Sequence, residues 1–233
     1  MTDWLATSSQ FKYGAAYEAE TYVEECFVAV QNTMTQFHLA QKGFQVDDTE
    51  AKIAEIAEKV SLPNLFEFLQ TCDSMSSAGA VEELIKEVWK AHPDPEKRWR
   101  LDDGIAELLR GNKENALQIF EELIKDDPEY AEAQNKAATC HYMLGNLEQS
   151  QDAARRTLEL QPNHFQALNG LGLVQYESRR YRLAAESFRK SLRIDPWSPV
   201  SSRLSACLDL LVRLDLEEDE GSTEGTAPYE DNK

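Results

Sequence analysis

Cysteine is scarce, with Cys26, Cys72, Cys140 and Cys207 the four among 233 residues. No two of them form a Cys-x-x-Cys pair, and they fall in separate helical segments. That distribution reads as small, buried free thiols in a reducing compartment. The four histidines, His38, His92, His141 and His164, are equally scattered and lack the spacing of zinc ligands. No apolar run is long enough to span a bilayer. Met1 to Tyr22 lacks the basic start and apolar stretch of a secretory signal, and it lacks the arginines of a transit peptide. The expected location is therefore cytoplasmic, with an organelle left open because a leader already removed would leave the same sequence. Basic residues are the minority, 24 against 42 acidic, for a net charge of -18. Such a surface repels phosphate and disfavours nucleic acid as a partner for the whole molecule, while leaving room for a local basic patch.

Glycine-rich phosphate loops are missing as well. The glycines of LNGLGL, residues 168–173, lie inside a helical pattern with no preceding strand, so the context of a dinucleotide fingerprint is absent. No Ser-His-Asp order with an elbow motif occurs. Acidic side chains alternate with apolar positions on helices and read as solvated faces, so no catalytic carboxylate pair stands out.

The sequence does have a period, and 42% hydrophobic residues to build on. Pro128, Pro162 and Pro196 are 34 residues apart, each closing a helical run after Asp127, Gln161 or Asp195. Three copies follow: Lys97–Tyr130, Ala131–His164 and Phe165–Ser198. Gly104, Ala138 and Gly172 form a column of small residues that lets two helices approach closely. Ala116, Ser150 and Ala184 form a second small column. Gly111, Gly145 and Arg179 occupy the turn, where a left-handed cap suits glycine and arginine is a departure. Large apolar residues fill the remaining inward positions, among them Phe120 and Ile124 in the first copy and Leu171, Phe188 and Leu192 in the third. Proline ends each copy because it cannot continue the helix.

This pattern resembles the tetratricopeptide repeat. The likeness covers residues 97–198 and is clearest in ALNGLGLVQY...RRYRLAAESFRKSLRIDP. The second copy departs at His141, where an aromatic is usual, and at Ala154, where a large residue is usual. The first has Arg100 where an early tryptophan is expected. The resemblance implies an all-α fold, a right-handed helical-repeat solenoid of helix pairs in which neighbours share one core. A capping helix is expected over Ser198–Leu214, with Val200, Leu204, Cys207, Leu208 and Leu211 in one apolar stripe. With the repeats accounting for most recognisable features, no enzyme, cofactor or metal site is expected.

Residues 1–95 read as an amino-terminal helical region. Val23, Phe27, Val30, Met34 and Phe37 make a heptad seam, open to pairing with a second chain or, the favoured reading, to packing within this one. Ile53, Ile56, Ala57 and Val60 mark a second helix. Pro63 opens a third with Leu65, Phe66 and Leu69. Val81, Leu84, Ile85, Val88 and Trp89 mark a fourth, readable as the second half of a degenerate repeat. The expected division is thus 1–95, 97–214 for repeats and cap, and an acidic disordered tail at 215–233. A monomer is the default.

In this family the first helices of successive repeats line a concave groove for an extended peptide or a partner's helix. The corresponding positions are Leu101, Ile105 and Leu108, then Asn135, Thr139 and Tyr142, then Asn169, Leu173 and Tyr176. The asparagines suit a peptide amide, offering donor and acceptor together, and the tyrosines offer apolar area with a polar tip. The expected function is a protein-interaction adaptor or assembly factor. The alternatives are an RNA-associated repeat protein and the regulatory subunit of an enzyme. Co-chaperones of the family grip chaperone tails with a lysine, asparagine and arginine clamp. Here those positions hold Leu101, Ile105, Lys136, Gln166 and Gly170, from which no binding to heat-shock chaperone tails by that mode is expected. Arg179, Arg180, Arg182, Arg189, Lys190 and Arg193, with Arg155 and Arg156 one copy earlier, form a candidate surface for an anionic partner.

Overall fold

The structure, a computed structural model, describes residues 61–223 except Asp73. Among the described residues there are nine α-helices and no strand. These are α1 (Leu62–Thr71), α2 (Met75–Lys90), α3 (Pro95–Leu109), α4 (Lys113–Asp126), α5 (Ala131–Met143), α6 (Leu147–Leu160), α7 (Phe165–Glu177), α8 (Tyr181–Ile194) and α9 (Ser201–Thr223). The three sequence copies are the pairs α3–α4, α5–α6 and α7–α8. The heptad seam at 23–37 and the helix expected at 53–60 lie outside the described residues.

Contacts divide the chain into two compact units, Met1–Ala133 with Ile194–Trp197, and Gln134–Arg193 with Ser198–Lys233. In the first, α1 and α2 form a hairpin whose core is Leu65, Leu69, Val81, Leu84, Ile85 and Trp89, all buried. The Phe66 and Trp89 rings lie 6.3 Å apart. Helix α3 starts where Asp94 Oδ1 accepts the Glu96 N–H at 2.9 Å, with Pro95 in the first turn. It packs on α4 through Gly104, where an added Cβ would meet Phe120 Cε1 at 2.5 Å. The connection before α5 is tied down by side chains. His92 Nδ1 accepts the Asp94 N–H, so its Nε2–H is donated to Asp127 Oδ2 at 2.9 Å. Lys97 Nζ reaches the same oxygen at 2.9 Å. Those two bonds, Lys97 first, hold the Asp127 carboxyl down at about 2. The Tyr130 ring lies 4.7 Å from that of His92, tilted 47° to it, and its hydroxyl donates to the Lys90 carbonyl at 2.5 Å. Burial, and then the charge of Asp195 from the Ile194–Trp197 segment, push the Glu82 carboxyl up.

In the second unit, Gly172 takes the place of Gly104 and Phe188 that of Phe120. An added Cβ at Gly172 would lie 2.6 Å from Phe188 Cδ1. Between them in sequence, Ala138 faces Ala154 in a cluster with Leu171. The departure at Ala154 is thereby explained: a Cβ already occupies the space at position 138, so the opposing residue is small. Ser150, from the second small column, donates to the Ala138 carbonyl at 2.8 Å and adds a buried bond to the same approach. A second cluster joins Ala184, Ala185, Phe188, Val200 and Cys207, with Leu173, Tyr176, Leu192 and Leu204 against it. It holds the end of the repeat to α9.

All three turns close alike. Asn112, Asn146 and Arg180 donate their N–H groups to the carbonyls of Glu107, His141 and Gln175, and the preceding residue bonds one position further on. This is the Schellman geometry, which needs a left-handed residue. Gly111 and Gly145 have φ of 88° and 80°, and Arg179 adopts φ 58°.

Helix α9 departs from the expected cap at both ends. Ser198 faces inward, 5% exposed and accepting from Asn169 Nδ2, so the helix begins at Ser201 instead. It continues to Thr223, past Leu214, into the segment expected to be disordered. Leucine and glutamate there are good helix formers that extend a helix already nucleated by packing. Cys140 and Cys207 are buried and Cys72 half-buried, all as free thiols. Burial pushes the Cys140 thiol up to about 11 and raises that of Cys207, so both are chemically quiet.

Candidate functional site

The first helices of the second and third copies, α5 and α7, meet α9 in the second unit. The Tyr142 hydroxyl of α5 reaches toward Glu177 Oε1 at the end of α7, 3.5 Å away. Burial first, then the Glu177 charge, raises the Tyr142 phenol, while Arg203 on α9 pulls it down. Tyr142 and Glu177 thus meet from two helices, within the field of Arg203 on the third. The 34-residue step that links Leu101, Asn135 and Asn169 lands next on Arg203, and the step from Thr139 through Leu173 lands on Cys207. Helix α9 is therefore in phase with the first helices of the copies before it, a signal present in the spacing. Glu177 carries no comparable signal.

The expected groove residues are placed unequally. Thr139 is exposed and donates to the Asn135 carbonyl at 3.0 Å. Tyr142 is half-buried. Asn135 is 4% exposed, well inside the protein. Asn169 is half-buried; its Nδ2 donates to Ser198 Oγ at 3.3 Å, and its Oδ1 is buried with no hydrogen-bond partner among the described residues. Leu173 and Tyr176 pack on the cluster shared with α9, and Tyr176 meets Tyr181 edge-on at 5.4 Å. In the first unit Leu101 is fully buried, with Ile105 and Leu108 half-buried.

Every member of the basic set on the third copy, Arg179, Arg180, Arg182, Arg189, Lys190 and Arg193, is exposed. Arg180 donates to Gln151 Oε1 at 3.3 Å. Arg155 and Arg156 differ, lying at 4.0 and 3.0 Å from Asp152 and Glu159.

The family model for the tetratricopeptide repeat matches twice, over residues 101–150 and 141–199. Residues 101–199 are tetratricopeptide repeats. It is 32% identical over 81 residues to a repeat-containing protein of Rhizobium etli, covering 35% of this chain and 40% of that one. It is 28% identical over 121 residues to Hsp70-Hsp90 organizing protein 1 of Glycine max, covering 48% of this chain and 21% of that one. The chain thus spans less than half the length of either relative. Among solved structures, the first repeat domain of Spaghetti (RPAP3) bound to an HSP90 peptide is similar with a TM-score of 0.49 and 13% identity. It covers 50% of this chain and 93% of that one. The Sgt2 repeat domain from Aspergillus fumigatus gives 0.47 and 19%, covering 60% and 89%.

These relatives overturn the exclusion of heat-shock chaperone tails. The repeats resemble those of a protein named for organizing Hsp70 and Hsp90. The exclusion tested one grip at five positions, Leu101, Ile105, Lys136, Gln166 and Gly170. A peptide offers backbone amides along its whole length, and donors or acceptors elsewhere in a groove can hold it. Among the described residues, no helix is long and apolar enough to cross a membrane.

Proposed function

We propose that residues 97–214 form a peptide-binding module and that the chain is an interaction adaptor or assembly factor, acting by binding rather than by catalysis, in the cytoplasm. The carrying observation is the unmet acceptor at Asn169. A buried carbonyl oxygen without a donor costs about 1–3 kcal/mol, and native proteins rarely leave one so. Its amide nitrogen is on Ser198 Oγ, which leaves the carbonyl oxygen as the unmet group, and an N–H group would satisfy it. A peptide backbone supplies one when the half-buried Asn169 side chain turns to meet it. Thr139, Tyr142 and Arg203 would surround the rest of the segment, with Arg203 offering a site for a carboxylate. Tail peptides of chaperones fit this chemistry and are the first probes to use.

The test is capture of partners from lysate by the wild-type chain and by Tyr142→Ala/Asn169→Ala, with the HSP90 peptide SRMEEVD as competitor. Loss of two anchors should weaken the specific partner at least about tenfold. Competition by SRMEEVD would assign that partner to the chaperone class. Equal capture by both proteins would refute the groove as the site.

A further inference from the structure

The outer face of α8 is unused by the groove. Arg182, Glu186, Arg189, Lys190 and Arg193 share one exposed face of that helix, and Leu183, 43% exposed, stands among them. The equivalent positions one copy earlier are Glu148, Asp152, Arg155, Arg156 and Glu159. Two copies earlier they are Glu114, Gln118, Glu121, Glu122 and Lys125. The same outward positions thus hold three acidic residues and one basic on α4, three and two on α6, but one and four on α8. The repeat does not require this reversal, because the inward columns stay alike through all three copies.

Pairing reverses too. Lys97, Arg98, Arg100, Arg155 and Arg156 each lie within 4.0 Å of a carboxylate. Arg189 and Lys190 form no ion pair among the described residues, in a chain of net charge -18. Both stand exposed beside an apolar side chain, whereas Arg155 and Arg156, at the same positions one copy earlier, have acidic neighbours. We propose that this face docks an acidic polypeptide segment whose carboxylates meet Arg189 and Lys190 around an apolar residue seated on Leu183.

The extent of the face favours a polypeptide. Arg182 to Arg193 covers about 17 Å of helix. A nucleic acid carries phosphate all along its length and would run from this stripe onto acidic surface within two or three Debye lengths of about 8 Å. A short acidic segment can end where the stripe ends. Guanidinium groups also match carboxylates in bidentate geometry.

The experiment is fluorescence anisotropy on the full chain with a labelled peptide of about 12 residues, glutamates around a central leucine, matched to the stripe's length. Arg189→Glu/Lys190→Glu is compared with Arg155→Glu/Arg156→Glu, which makes the same change of charge on α6. Circular dichroism confirms that both fold. The α8 variant should lose at least about tenfold in affinity and the α6 variant about twofold or less. Leu183→Ser should weaken binding without changing its salt dependence. Tyr142→Ala/Asn169→Ala should leave it intact, which separates this surface from the groove. Equal losses in the α6 and α8 variants would overturn the proposal, as would no loss in either. Tighter binding of an oligouridylate of equal charge would overturn it in favour of RNA. Binding that appears only after removal of residues 224–233 would give the face to the chain's own end. A dimer dispersed by Arg189→Glu/Lys190→Glu would give it to a second copy.

Discussion

Adding one methyl group at Gly172 should destabilise the second unit, while adding one at Gly170, in the same helix, should stabilise it. At Gly170 nothing lies within 4 Å of the new Cβ. Alanine there gains the helix propensity that glycine lacks, about 1 kcal/mol. At Gly172 the same gain is opposed by the ring of Phe188, with Cδ1 only 2.6 Å from the new atom, far inside a carbon–carbon contact of about 3.5–4.0 Å. Phe188 is fully buried. Overpacking of this kind costs about 1–3 kcal/mol, so the two variants should differ by about that amount. Phe188→Ala alone should cost about 3–5 kcal/mol through the cavity it leaves. In that background Gly172→Ala becomes favourable, because its methyl fills part of the cavity. Urea denaturation followed by circular dichroism gives all four corners of the cycle, with an unchanged slope confirming comparable transitions. If Gly172→Ala stabilises as much as Gly170→Ala, or keeps its sign without Phe188, close helix approach is not the role of this column.

Arg179→Gly should raise stability by about 0.5–1 kcal/mol. It removes a left-handed arginine costing about 1–2 kcal/mol, partly offset by the looser unfolded chain. Thermal melts should show a rise for glycine and a fall for Arg179→Val; a fall for glycine would contradict the turn geometry. Asp127→Asn should cost about 1 kcal/mol or less at neutral pH, since its partners are partly exposed. The folded carboxyl is depressed to about 2 from its usual 3.8, so its contribution is complete above that usual value. It is lost as pH falls toward about 2. Urea titrations at pH values spanning this window should show the gap between wild type and variant closing; a constant gap would place the effect elsewhere.

The fold was legible because its contacts recur in the sequence. Each copy packs its own two helices through the same columns, so Gly104, Ala138 and Gly172 announce the close approach and Pro128, Pro162 and Pro196 announce the ends. Even Arg179, out of place by composition, kept the turn that its column implied, since the Schellman bonds are local. The column through Asn169 to Arg203 was legible too, as a period continued into the cap. The groove was legible only as a set of positions. Pattern puts Asn135 and Asn169 in one column, yet burial separates them, and Leu173 and Tyr176 are claimed by the cluster with α9.

Sequence alone therefore determined the helices, their pairing and their turns, because these depend on neighbours within one 34-residue step. Tertiary structure decided the rest. It matched Ala154 to Ala138, turned Ser198 inward onto Asn169, and brought Tyr142 and Glu177 together from two helices within the field of Arg203 on a third. Those outcomes depend on which surfaces distant segments cover, and a periodic pattern, identical in each copy, carries no information about where its repetition is interrupted.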